Sequence, residues 1–272
     1  MRLILDNLHD RATLTATSAA AECGIDNTQR DEREYRWRSA DTGEQVITGT
    51  FDRTRYIDTV VLAQHNLSGA ADLVLELLDT DGNTLWSSGS VITADYIPAG
   101  VWRAGIDPWM ATYNDQLAQP LTIIDTPLTA ARGYRLTIND PANASGALEI
   151  WRIAAGQWFS TVYGPSWGID LNWRDNGKRT RTYGGSLRTR GGGFVWRELA
   201  LRLDHLTPSD MTRLTVDLAQ RGSVATVFLD CLPQRPSIDR LRAAFFAQLD
   251  GGYGDTHDRY RNYAAPLKFL EV

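Results

Sequence analysis

The stretch AQHNLSG, Ala63 to Gly69, sets a histidine beside an asparagine at the end of an apolar run. Such a pair either serves catalysis or ligand binding, or closes a strand end by bonding the turning backbone. Chemistry would require partners at defined spacings. The other histidines are His9, His205 and His257, and no two share an HxH or i, i+4 spacing that would present metal ligands together. His205 ends an apolar strand just before a helix cap, a place for packing or capping. Cys23 and Cys231 lie far apart, outside any CxxC, and are read as two buried free thiols in preference to a disulfide between them. No GxSxG elbow, phosphate-binding loop or HExxH helix occurs. Gly191-Gly192-Gly193 precedes a strand, so it lacks the helix N-terminus of a phosphate cradle. The pairs Asp31-Glu32 and Asp79/Asp81 sit in polar, turn-like segments, and nothing directs two carboxylates into one pocket. The expectation is a protein without catalytic residues, metal or cofactor.

Two other groups of side chains are candidates for binding. In VWRAGIDPWMATYN, Trp102, Trp109 and Tyr113 offer flat apolar faces among polar neighbours. They suit a sugar platform or a packed contact with a neighbouring subunit, and the latter is the preferred reading. Between Trp173 and Gly193, Lys178, Arg179, Arg181, Arg188 and Arg190 crowd a Gly-rich span with few apolar residues. The net charge is −5, and no aromatic RNA-binding signature accompanies the cluster. A hairpin arm or loop that orders against other protein copies is expected, rather than a nucleic-acid site.

The elements that must hold these groups are mostly strands. TRYIDTVVLAQHNL is a β-rich run, and in ADLVLELLDTDGNTLWSSG Leu73, Leu75 and Leu77 alternate before an Asp81-Gly82-Asn83 turn. YRLTIND (Tyr134 to Asp140) and ALEIWRIAAG (Ala147 to Gly156) alternate likewise, which predicts a β-sandwich over 1–155 with negligible helix. A β-rich α+β domain over 156–272 follows. FVWRELALRLDHL reads as a strand with Leu199, Leu201 and Leu203 on one face. Thr207, Pro208 and Asp210 open a helix that Gly222 stops, and SVATVFLDCLP (Ser223 to Pro233) is the next strand. A second helix is expected over Ile238 to Leu249, after Pro236-Ser237, and NYAAPLKFLEV as a last strand.

Nine tryptophans and 43% hydrophobic residues in 272 allow a full core without metals or disulfides. The opening MRLILDNLHD is too short an apolar run for a signal peptide, and no segment reaches membrane-spanning length.

Trp37-Arg38-Ser39, the strand Ile57 to Leu62 and His65-Asn66-Leu67-Ser68 occur in that order. In that order they resemble the galactose-binding-like, discoidin-type β-sandwich (a jelly roll) of phage virion proteins. The run WRELALRLDHLTPSDMTRLTVDLAQRGSVATVFLDC resembles a distal-tail-type module. The resemblance implies a non-enzymatic structural component of a phage tail tip or baseplate. Such a component is made in the host cytoplasm and located in the virion. Its partners would be copies of itself and other tail proteins, without nucleic acid or membrane insertion. The alternative it leaves open is a carbohydrate-binding module contacting host-surface glycans.

Overall fold

The computed structural model describes residues 1–235 and 237–272. The chain is mainly β and divides into two compact units. One comprises Arg2–Phe159 with Asp230–Ala244; the other comprises Ser160–Leu229 with Phe245–Val272.

The first unit contains β1 (Arg2–Ile4), β2 (Thr13–Ala16), β3 (Trp37–Arg38), β4 (Gln45–His65), β5 (Asp72–Leu78), β6 (Thr84–Val91), β7 (Leu121–Asn139) and β8 (Glu149–Gly156). Strands β4 and β7 run far longer than the apolar runs within them suggest. They pair antiparallel in two stretches, Gln45–Thr50 with Gly133–Ile138 and Thr59–Ala63 with Leu121–Asp125. Register shifts separate the stretches, between Thr50 and Arg55 and between Ile57 and Thr59. Such bulges bend and twist a strand pair. On one side of them β2 flanks β4, and β5 and β6 extend from β7. On the other side β8 and then β3 extend from β4. The two long strands therefore contribute to both layers of an antiparallel sandwich. Ile47, Leu73, Leu75, Leu136 and Ile138 from one layer meet Val60, Leu62, Ile124, Ile150 and Ile153 from the other in a single core. Each such side chain contributes about 1.5–3 kcal/mol on burial.

A tyrosine over a glycine fixes the register of this core. Gly49 lies opposite Tyr134 in the ladder, and a Cβ on Gly49 would stand 2.5 Å from the Tyr134 ring. The buried Tyr134 hydroxyl meets His9 Nδ1 at 2.6 Å, and His9 Nε2 meets Thr28 Oγ1 at 2.8 Å. Thr28 donates its own proton to the Ile25 carbonyl (2.6 Å), so it accepts from His9 Nε2–H, and Tyr134 donates to Nδ1. The imidazole is thereby held neutral. Burial, helped by the nearby Arg152 charge, lowers its pKa to about 3.

The second part of the chain supplies β9 (Asp170–Asp175), β10 (Lys178–Arg181), β11 (Leu187–Arg190), β12 (Val195–Leu206), α1 (Pro208–Asp217), β13 (Val227–Asp230), α2 (Ser237–Arg242), β14 (Ala244–Leu249), β15 (Thr256–Arg259) and β16 (Asn262–Glu271). The sheet of the second unit runs β13-β14-β16-β12-β9, with β15 on β16. Leu199, Leu201 and Leu203 are buried, as their alternation predicts. Thr207 Oγ1 accepts from the Asp210 N–H, and the Asp210 carboxylate reaches back to Thr207, completing a capping box. Helix α1 is shorter than expected. It ends at Asp217, and a 3-10 turn over Ala219–Arg221 leads to Gly222 at φ 79°.

Two expectations need correction. The helix predicted over Ile238 to Leu249 is only α2, six residues, followed by β14; Pro236, expected before its start, lies outside the described residues. Ala244-Phe245-Phe246-Ala247 is buried on consecutive positions, the pattern of a strand covered on both faces. A division of the chain at 155/156 also leaves Asp230–Ala244 unexplained, because this segment belongs to the first unit. Charge accounts for it: the fully buried Asp230 binds Arg2 (3.0 Å) and Arg240 (2.9 Å), and both arginines also reach Asp125. Neither cysteine is bonded; Cys231 is buried as expected, whereas Cys23 is partly exposed.

Within the second unit, Arg197 and Glu271 form a bidentate ion pair (2.6 and 2.9 Å) among Trp173 and Phe245, almost without solvent contact. No local pattern announces a pair 74 residues apart.

Gly49→Ala is expected to cost about 1–3 kcal/mol by forcing the Tyr134 ring aside. Thr207→Ala is expected to cost on the order of 1 kcal/mol through the lost cap. Urea midpoints of the two variants measure both, and a midpoint unchanged in either would reject the corresponding contact.

Candidate functional site

The His-Asn stretch is a corner that the rest of the chain builds upon. Asn66 bridges to the chain entering β8: its Nδ2 donates to the Ala147 carbonyl (2.8 Å), and its Oδ1 accepts from the Glu149 N–H (2.7 Å). The fully buried Asp140 accepts from the Ser68 N–H (2.8 Å), the Ser68 hydroxyl (2.6 Å) and Asn143 Nδ2 (3.0 Å). The polar atoms of His65 and Asn66 are all committed to hydrogen bonds within the fold. This matches the structural reading of the pair.

His65 does more than close a turn. Its Nδ1 accepts from the Leu67 N–H (3.2 Å), so Nε2 carries the proton and donates to Thr122 Oγ1 (2.9 Å). Thr122 passes a hydrogen bond to the Thr93 carbonyl (2.5 Å), which also accepts from Asn114 Nδ2 (3.2 Å). Thr93 and Asn114 sit near the two ends of the long connection between β6 and β7 that carries the candidate aromatics. Gly69 lies against the same connection, where a Cβ would stand 2.9 Å from the Met110 carbonyl. Burial holds His65 at a pKa of about 4, against the opposing pull of Asp140.

The connection is stiff despite having little regular structure. Asp107 accepts from the Arg103 backbone N–H (2.7 Å) and grips its guanidinium through both oxygens (2.8 and 3.0 Å). That guanidinium holds the Asp107 carboxyl below the usual carboxylate range. A capping box joins Thr112 to Asp115, and Ile97 donates to the Ala111 carbonyl (2.9 Å). Trp102 donates from Nε1 to the Pro108 carbonyl (3.0 Å) and meets Trp109 edge to face, with centroids 6.3 Å apart. Trp109 itself is 85% exposed, and Val101, Ile106 and Met110 around it are more than half exposed. Of the three candidate aromatics the structure brings Trp102 and Trp109 together. Tyr113 is half-buried at the start of a 3-10 turn, and among the described residues no ring contact joins it to them. A shallow cleft of about 200 Å³ opens at the root of this loop, lined by Thr93, Asp95, Leu121, Ile123, Arg240 and Leu241.

The cationic span forms a hairpin, β10 with β11, that makes its own two-stranded sheet. Lys178, Arg179, Arg181, Arg188 and Arg190 are all exposed. Trp173, at the start of the span, and Phe194 and Trp196, just beyond it, stand on or beside the β9–β12 pair at its base. Of the remaining histidines, His205 meets Tyr163 edge to face and His257 stacks on Tyr263. Among the described residues no three His, Cys, Asp or Glu side chains converge as a metal site, and no helix is long and apolar enough to cross a membrane.

No protein-family model and no curated protein matches the chain. Solved structures similar to it include chitosan-binding module 1 of a chitosanase/glucanase from Paenibacillus sp. IK-5. That match has 14% identity and a TM-score of 0.39 over 56% of this chain and 99% of the module. The lectin domain of Lectinolysin, solved with Lewis B antigen, matches at 9% identity and TM-score 0.39 over 56% of this chain and 96% of its own. The family 32 carbohydrate-binding module of C. perfringens NanJ, solved with galactose, matches at 9% identity and TM-score 0.39 over 57% and 98%.

The buried histidines predict an acid-sensitive fold. Above the unfolded value near 6.5 both states are neutral at His9 and His65, and the full stability is present. As pH falls the unfolded chain takes up protons that the folded chain refuses, so stability declines, down to about 4 for His65 and about 3 for His9. His65→Gln is expected to remove about 1.4 kcal/mol per pH unit of that slope near pH 5. Urea titrations at several pH values test this, and an identical slope in the variant would contradict it.

Proposed function

We propose that this chain is a non-catalytic binding protein whose first unit takes up a glycan on the loop between β6 and β7. One observation carries the reading: Trp109 presents its face to solvent on a loop that hydrogen bonds and an ion pair hold in one conformation. Trp109 shares its exposed stretch with Val101, Ile106 and Met110, an apolar grouping of the kind that marks contact sites, and sugar rings present C–H faces that settle on an aromatic platform. Fixing the loop beforehand lowers the ordering cost of binding. Arg103, with its guanidinium half-exposed beside the platform, supplies donors for ring hydroxyls. His65 positions the loop through Thr122, Asn66 holds the chain entering β8, and neither touches the ligand.

A second reading, a structural component of a phage tail tip or baseplate, is favoured by the exposed cationic hairpin, which suits contact with other proteins better than with a sugar. The three solved structures named above are sugar-binding modules or domains, and none is a tail protein.

Trp109→Ala is expected to weaken glycan binding on an array by roughly tenfold or more, since a platform aromatic acts as a hot spot, while leaving the melting temperature unchanged. Trp102→Ala should reduce both, because its indole also ties the loop to Pro108. Absence of any glycan ligand for the intact chain would reject the reading. Association of the chain with purified phage particles instead would favour the tail component.

A further inference from the structure

We infer that the β10–β11 hairpin docks on an acidic face of a second copy of this chain. The hairpin is a separate two-stranded sheet, and every residue of both strands is exposed. Isolated pairs of strands are marginal in water. This pair is also loaded with like charge. Its register sets Lys178 opposite Arg190 and Thr180 opposite Arg188, so three cations share one face. Arg179, Arg181 and Leu187 occupy the other face. Like charges facing across a ladder weaken it. From Lys178 to Arg190 the sequence holds five cations and no carboxylate. An anionic surface laid against either face would relieve the repulsion, and on the face of Arg179 and Arg181 it would also cover Leu187, which is open to solvent.

The occupant follows from the charge of the chain itself. The whole molecule carries −5, so setting aside the five cations of the hairpin leaves −10 on the remainder. A second copy, outside its own hairpin, therefore carries a net charge opposite in sign to the hairpin. Nucleic acid fits less well, because the same remainder repels a polyanion and Asp170 and Asp175 of β9 lie just before the hairpin. Gly177 before β10 and Gly191, Gly192 and Gly193 after β11, the last three at positive φ, let the hairpin adjust its direction to a partner. The inference uses none of the residues proposed to meet a glycan, and either can fail without the other.

Sedimentation velocity of the full chain at about 0.05 M and about 0.5 M salt tests it. The expected result is self-association at the lower salt, weakened roughly tenfold or more at the higher. The triple variant Arg179→Glu, Arg181→Glu, Arg188→Glu should be monomeric at both, with an unchanged circular dichroism spectrum. If the variant does not fold, the salt series on the unaltered chain decides the matter. A monomer at low salt overturns the inference, as does association indifferent to salt. Binding of a single-stranded oligonucleotide or a sulfated polysaccharide by a chain that stays monomeric overturns it as well, because the hairpin then serves another occupant.

Discussion

The pairing of β4 with β7 is the constraint on which the first unit rests. Each strand supplies residues to both layers, so one register decides which side chains face the core on both sides of the bulges. A slip of one residue would turn Ile47, Val60, Leu136 and Ile138 to the outside together. Tyr134 lies over Gly49 only in the observed register, and only there can its hydroxyl reach His9. Hydrophobic burial favours the sandwich in general terms. The glycine, the phenol and the neutral imidazole select one version of it.

The polar corner at the end of β4 extends that selection toward the candidate site. A buried carboxylate, two asparagines and a histidine would each be costly in an apolar core if left unpaired. Here each is bonded: Asn66 to the chain entering β8, Asn114 to the Thr93 carbonyl of the β6–β7 connection, Asp140 to Ser68, and His65 to Thr122, which bonds the same Thr93 carbonyl. The aromatic loop inherits its rigidity from this corner and from the Arg103–Asp107 clamp. The same low polarity that excludes protons from His65 makes its hydrogen bonds strong enough to position a loop.

Much of the fold could be read from local pattern. The alternation of Leu73, Leu75 and Leu77, the Asp81-Gly82-Asn83 turn and the Thr207–Asp210 box each state their structure within a few residues, and each forms. The run from Ala244 to Leu249 misled because continuous apolar character has no period, leaving helix and doubly covered strand alike. Partners distant in sequence were out of reach: His65 with Thr122, Arg197 with Glu271, Asp230 with Arg2. At the candidate site the aromatic types were visible, but not which two would meet. Arg103 and Asp107 lie four residues apart and Thr112 and Asp115 three apart, and these spacings were the local signs that the loop would be held.

The segment Asp230–Ala244 has a bearing on how the molecule comes into being. A ribosome delivers the sandwich strands first, yet the carboxylate and guanidinium that complete the charge cluster around Arg2 and Asp125 emerge some seventy residues after β8. Until then Arg2 has Asp125 without Asp230. The first unit thus lacks these contacts while most strands of the second are being made. Cutting the gene at the apparent boundary would separate a nearly complete sandwich from its last pieces. A fragment ending near Phe159 lacks Asp230 and Arg240, and so differs from the mature unit in charge as well as in length.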